Sequence, residues 1–312
     1  MKGVEFIHIM ENEVQKRLVD FDTGQVYEIK EGDIFSILSK EQRQIIKKKY
    51  EKMDVNENMR DYNKELGGFI FLLFKYSDLL LEKYDEIDPQ DITKLFYLAT
   101  YVNYEGYLMY DNTNKVMSKK SLMNKIGVTR SKFDTFFKKM VDLGILTYKN
   151  KKIRVNNELF FKGSMDEVIK SRKDYTRMYI DSIRYLYNNV HKKSHKRLGN
   201  YFKIIPYIHR QENVLCWNPD SHVSNMKTMV LRDLKNILNY EYSSAKEFIR
   251  KLFDLKLKEG NHIMGFFHRS INFWDSIIII NPKVVYGGDF MGNKDMSFEE
   301  NKQRLLKYFE IN

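Results

Sequence analysis

A single cysteine, Cys216, stands in the 312 residues. No disulfide within the chain and no cysteine-based structural zinc site can form. Prolines number only 4; beside abundant Lys, Ile, Asn, Tyr and Phe, this reads as the codon bias of an AT-rich genome and carries no chemistry. No apolar run approaches the roughly 18 residues that span a bilayer. The longest, around Gly67–Phe74 and Ile277–Ile280, are of strand or core length. In the opening MKGVEFIHIMENEVQKR, acidic residues interrupt the apolar core that a secretory signal needs. These absences lead to the expectation of a soluble, cytoplasmic protein with no membrane partner.

The motifs of several reaction classes are missing as well. A rolling-circle nuclease needs a His-hydrophobic-His metal pair and a tyrosine nucleophile, yet Ile7-His8-Ile9 holds one histidine, and His262 and His268 stand six apart. Neither a Gly-x-x-x-x-Gly-Lys-Ser/Thr run nor a Gly-x-Gly-x-x-Gly run is present to cradle a nucleotide, and no His-Glu-x-x-His occurs. The histidines after residue 190 are read as structural rather than as metal ligands. The expectation is a protein that is not an enzyme, with no catalytic residues, no metal and no cofactor.

What is present is positive charge. Lys and Arg total 53 against 42 Asp and Glu, a formal net charge of +11 and a pI near 9.3. Such a balance favours a polyanionic partner. The charge is concentrated in one patterned stretch, Lys115 to Phe161. Ser118 can cap a short helix with Leu122, Met123 and Ile126 on one face. Gly127 then suits a sharp turn, because glycine accepts positive φ. Thr129 is placed to cap a second helix whose Phe133, Phe136, Phe137 and Met140 recur at helical spacing. Gly144 ends it, and two β-like runs follow, Ile145–Tyr148 and Ile153–Asn156. Helix, turn, helix and basic hairpin is the order of a winged helix-turn-helix, which sets its second helix in the DNA major groove.

Off the aromatic stripe lie Thr129, Arg130, Ser131, Lys132, Thr135, Lys138 and Lys139, and the hairpin adds Lys149, Lys151, Lys152 and Arg154. Only Asp134 and Asp142 oppose them between Lys119 and Arg154. A solvated face mixes signs; this one resembles an electrostatic footprint for phosphate.

The second half repeats the pattern. Phe248–Leu255 lies over Phe136–Leu143 without a gap, Leu234 falls on Leu122, Leu238 on Ile126, and Asn239 on Gly127. Further on, Asn281-Pro282 is set on Asn157-Glu158 and Gly287 on Gly163, with a longer wing formed by Leu257–Arg269 and Ile277–Ile280. The second copy would read DNA through Tyr242, Ser243, Ser244, Lys246 and Arg250, with His268 and Arg269 on its wing; a packing role for that copy is the alternative. Two heads on one chain suit an asymmetric or directly repeated site better than a palindrome.

Residues 165–197 read as a basic connecting helix, either packed with a solvated face or tracking phosphates. Near the start, RLVDFDTGQVYEI signals a hairpin around Asp22-Thr23-Gly24. Ser39–Lys52 reads as a helix, Asp88-Pro89 starts another, and Ser297 opens a terminal amphipathic one.

The run from Gly67 to Gly163 resembles the RepL-like replication proteins of Gram-positive plasmids and phages, which are themselves similar to MarR-type winged-helix regulators. The shared features are an FIFLLFKYSDLL-type segment, a helix, a small strand, SKKSLMNKIGVTRSKFDTFFKKMVDLGIL, and the return to Asn157–Gly163. The resemblance implies that Thr129–Thr135 and Lys138 face bases and phosphates and that Lys149–Arg154 form the wing. It covers about a third of the chain and does not extend to the second copy.

The expected fold is mainly helical (α+β), with two tandem winged helix-turn-helix domains. Its divisions are residues 1–66 (hairpin and helix), 67–164 (first winged domain), 165–197 (basic linker), 198–290 (second winged domain) and 291–312 (terminal helix). The expected function is sequence-specific binding of double-stranded DNA by a mobile-element protein, replication initiator-like, with self-association or host replication or transcription machinery as further partners. The alternatives are a regulator of phage or plasmid genes and a scaffold that does not bind DNA.

Overall fold

The computed structural model describes residues 16–19, 26–29, 61–73, 87–111, 113, 115–163, 175–210, 212–238, 242–267, 272–287, 305, 307 and 309; of 16–19, 26–29 and 242–245 it gives the backbone alone. The chain divides into two compact units, Met1–Glu57 and Asn58–Asn312. In the first, β1 (Lys16–Val19) and β2 (Val26–Ile29) pair antiparallel, as the alternation requires; the expected turn residues Asp22-Thr23-Gly24 lie outside the described residues. The helix expected at Ser39–Lys52 lies outside the described residues.

The second unit combines helices with small antiparallel sheets, an α+β class. Its centre is a four-stranded antiparallel sheet in the order β10–β7–β3–β6, formed by β3 (Phe69–Leu73), β6 (Phe160–Phe161), β7 (Tyr175–Tyr179) and β10 (Val285–Tyr286). The apolar run after Gly68, read as of strand or core length, is a largely buried strand. The expectation of helix across residues 165–197 is corrected in part. Tyr175–Tyr179 is a strand with every residue buried, and α4 (Ile180–Asn189) follows it directly. Tyrosines at both ends and Thr176 between them fit a pleated, packed surface, and the basic residues that suggested a solvated helix include the buried Arg177.

Each half of the unit leaves this sheet and returns to it. From β3 the chain enters α1 (Pro89–Ala99), capped by Asp88, whose Oδ1 accepts the Gln90 N–H at 2.7 Å. It continues through α2 (Lys119–Ile126), α3 (Arg130–Asp142), and the β4–β5 hairpin (Leu146–Lys149 and Lys152–Val155), then closes on β6. From β7 the chain passes α4, α5 (His195–Lys203), α6 (Leu231–Ile237), α7 (Tyr242–Phe253) and the β8–β9 hairpin (Met264–Phe267 and Ile277–Ile280), and closes on β10.

The two halves repeat each other bond by bond. Met109 N–H donates to Tyr101 O as Cys216 N–H does to Tyr207 O, at 2.9 and 2.8 Å; Met117 donates to Leu108 as Met229 does to Leu215, both at 2.8 Å. Val155 reaches Gly106 O as Ile280 reaches Asn213 O, at 2.8 and 2.9 Å. Asn156 and Asn281 play one part. Each donates its backbone N–H, to Ile145 O and Ile263 O, and each accepts a backbone N–H on Oδ1, from Glu158 and Lys283. The equivalent of Asn281 is thus Asn156, one residue before the Asn157 expected from sequence, because the segments between the second helix and this asparagine differ in length between the halves.

Candidate nucleic-acid interface

In the first half, α2 ends at Gly127 in left-handed geometry, φ 63° and ψ 44°, the turn its sequence position called for. Ser118 caps α2 by accepting the Ser121 N–H at 3.2 Å. Thr129 sits at the α3 N-cap with extended backbone, without a side-chain cap bond. The stripe of Phe133, Phe136, Phe137 and Met140 is buried, so the opposite face is turned outward. On it Thr129, Arg130, Ser131, Lys132, Thr135 and Lys138 are exposed, and Lys139 is half-buried. Arg130 contacts Asp134 at 3.8 Å with its side chain 89% exposed, a pair too solvated to hold it in place.

The β4–β5 hairpin turns through Asn150 and Lys151, both at positive φ, 53° and 61°, the pattern of a two-residue type I′ turn. Its register sets Lys149 opposite Lys152 and Thr147 opposite Arg154. Like charges facing each other across a ladder oppose folding, so this tip concentrates positive charge at some cost in stability. Arg154 is exposed, but its Nε donates to Glu105 O at 2.8 Å, and Lys152 Nζ lies 5.5 Å from the Tyr107 ring centroid.

Sequence reasoning passed over Lys119 and Tyr148. Lys119 Nζ lies 4.4 Å from the Phe137 centroid and 4.3 Å from that of Tyr148, which is 43% exposed. The lysine therefore links the start of α2 to the β4–β5 hairpin. Its signal was available: a cation just after a cap, and a tyrosine at an outward strand position.

The second half is different in character. Lys246 and Arg250 are exposed on α7 and line a cavity of about 660 Å³ with Phe253, Phe266 and Phe273. Lys246 Nζ is 5.8 Å from the Phe273 ring, and Glu247 pairs with Lys251 on the same helix. Tyr242, Ser243 and Ser244 form the first turn of α7, but their side chains, like His268, Arg269 and the turn residue Asn239, lie outside the described residues. The strands of this hairpin read MGFF and IIII, so its described part is apolar where the first is basic.

Two of the basic residues read as a linker, Arg184 and Lys192, are occupied by contacts within the unit. Arg184 forms an ion pair with Asp111 at 2.9 Å, donates to Thr100 Oγ1 and O, and lies 3.9 Å from the Tyr101 ring centroid. Lys192 Nζ donates to Gly127 O at 3.0 Å, and the Tyr187 hydroxyl to Ile126 O at 2.8 Å. Residues of the second half thereby satisfy carbonyls at the C-terminus of α2 and fix the turn that orients α3. His191, Lys193 and Lys196 remain exposed.

Burial pushes the Cys216 thiol up to about 12 and lowers the pKa values of His195 and His209. None of these groups lies on the exposed face of α3 or on the β4–β5 hairpin. Among the described residues no cluster of three or more His, Cys, Asp or Glu could hold a metal, and no helix is long and apolar enough to cross a membrane. No family model, curated protein or solved structure matches the chain.

Proposed function

We propose that the protein binds double-stranded DNA sequence-specifically, each half acting as a winged helix-turn-helix. In this reading α3 enters the major groove, and its wing grips the flanking backbone. The observation that carries the proposal is the first half's outer face. Exposed Arg130, Ser131, Lys132, Thr135 and Lys138 adjoin a hairpin tip where Lys149, Lys151 and Lys152 crowd together against their own repulsion. A phosphate backbone relieves that repulsion and releases counterions. Side chains early in the second helix are those that reach base edges in this class of motif, which gives Arg130 and Lys132 the reading role and Lys138 and the wing lysines the holding role.

The test is the salt dependence of binding to a duplex selected from a random pool. Log affinity should fall by about 0.9 per log unit of salt for each phosphate neutralised. Replacing Lys138, Lys149, Lys151 and Lys152 with alanine should weaken selected and random duplexes alike and flatten the slope. An unchanged slope would remove this face from the interface, and no binding to any duplex would leave the scaffold reading. On its resemblance to the RepL-like proteins, we place the chain with mobile-element replication initiators that work with host machinery. A regulator of phage or plasmid genes is the second reading, and repeated origin sites inside or beside the gene would separate the two.

A further inference from the structure

Resting on that DNA-binding reading, we infer that one chain recognises an inverted repeat, its internal two-fold axis set on the dyad of the DNA, with unequal half-sites. This replaces the directly repeated or asymmetric site that two tandem heads suggested.

The axis follows from strand register. β3 and β7 pair antiparallel with Phe71 opposite Arg177 at the middle. A half-turn about that pair carries Phe69–Tyr179 onto Leu73–Tyr175 and Ile70–Met178 onto Leu72–Thr176. It also carries the outer pairs onto each other: Leu72–Phe160 onto Met178–Val285, and Phe71–Phe161 onto Arg177–Tyr286. The helices obey the same operation. The spacing from Phe71 to Arg177 is also that from Phe96 to Phe202, and these two rings stack across the α1–α5 seam with centroids 4.4 Å apart and planes at 10°. Beyond the seam, the two halves repeat one set of backbone hydrogen bonds, so the axis relates their α2–α3 and α6–α7 pairs as well.

Two heads related by a rotation present their second helices in opposite senses along the duplex, as the subunits of a symmetric dimer do on a palindrome. A direct repeat would require a translation, which a two-fold axis does not supply. The seam also fixes the distance between the heads. At Gly199 a Cβ would run into the Pro89 carbonyl, and Thr93 Oγ1 donates to His195 O at 2.7 Å, so backbone lies against backbone with little play. The half-sites are unequal because the first wing carries a basic tip, whereas the described second wing is apolar and α7 neutralises Glu247 with Lys251.

The experiment uses the full chain. The two halves of a site taken from pool selection are placed in four duplexes: in inverted orientation, in direct orientation, with the first half alone, and in inverted orientation with roughly 5 base pairs, half a helical turn, inserted between the halves. Affinity is measured by titration and stoichiometry by sedimentation. The expected result is one chain on the inverted pair, bound about 100-fold more tightly than the single half-site, as linked heads allow. The direct pair and the lengthened pair should fall to single-half-site affinity. Arg250→Glu should weaken the inverted pair and shorten the footprint at one end only. Equal or better binding to the direct pair, two chains on the inverted pair, or an Arg250→Glu footprint and affinity both unchanged would overturn the inference while leaving DNA binding intact. Failure to bind any of the four duplexes would overturn the DNA-binding reading itself.

Discussion

In the proposed DNA-binding reading, Arg130 is the side chain assigned to a base. It stands at the start of α3, 89% exposed, with only a loose contact to Asp134. Releasing it from such a surface pair costs at most about 1 kcal/mol, so it is free to seek a guanine edge. Arg130→Ala should cost about 1–3 kcal/mol on the selected duplex and less on random DNA, measured by competition titration; equal losses would make it a backbone contact. The buried histidines set a pH dependence instead. His195 Nε2 must carry a proton, because both groups it meets, Tyr187 O and Val190 O, are acceptors. His209 Nε2 likewise meets Ser221 O. Burial lowers both pKa values in the folded state, so the unfolded chain binds protons more readily. Stability is then complete above the ordinary histidine range, near 6.5, and is lost as the pH falls below it. The melting temperature should drop between about pH 7 and pH 5, and His195→Gln should flatten that drop.

At the scale of elements, the turn between α2 and α3 is held from outside its own half. Tyr187 and Lys192 donate to Ile126 O and Gly127 O, and Tyr187 stacks on Tyr97 with centroids 3.8 Å apart. Tyr187→Phe keeps the stack and removes one buried hydrogen bond. Its cost should be about 0.5–1.5 kcal/mol in denaturant unfolding, with a further loss in DNA specificity if the turn positions α3. Gly199→Val should do more, since the side chain meets backbone at Pro89 and cannot turn aside. These contacts show where sequence reading stops. The α2–Gly127–α3–hairpin order was legible because caps, a positive-φ glycine and a helical aromatic stripe are local signals. Lys192 read as a linker cation because nothing near it in sequence announces a carbonyl supplied by Gly127. Arg177 misled for the same reason: its burial depends on rings contributed by Phe69, Tyr175 and Tyr286, which the chain brings together only in the sheet.

Over the whole second unit, the halves share one sheet rather than standing as separate beads. β3 has β7 as its long neighbour and β6 for only two residues. A fragment ending near residue 163 would expose the edge of β3 and lose the α1–α5 seam, including Phe202 against Phe96. Such a fragment should fail to give a cooperative unfolding transition, whereas residues 58–312 should unfold in one step by circular dichroism and tyrosine fluorescence alike. The duplication was visible in the gapless match of Phe248–Leu255 to Phe136–Leu143, yet its symmetry was not. In β3 and β7 the equivalents are Phe71 with Arg177 and Ile70 with Thr176, so the strands pair as partners while sharing little sequence. Register, not resemblance, identifies them.

The residue pair on the axis has a consequence for how far the two halves can differ. In a dimer of identical chains, whatever occupies the axis meets its own copy: phenylalanine would face phenylalanine, or a buried arginine would face another arginine with no relief of charge. Joining the two halves in one chain lifts that restriction, and here Phe71 faces Arg177. Once that pairing is in place the halves are no longer interchangeable, because two second halves brought together would set guanidinium against guanidinium. Within one chain each half can therefore carry its own surface: the first hairpin has a basic tip, whereas the described strands of the second are apolar.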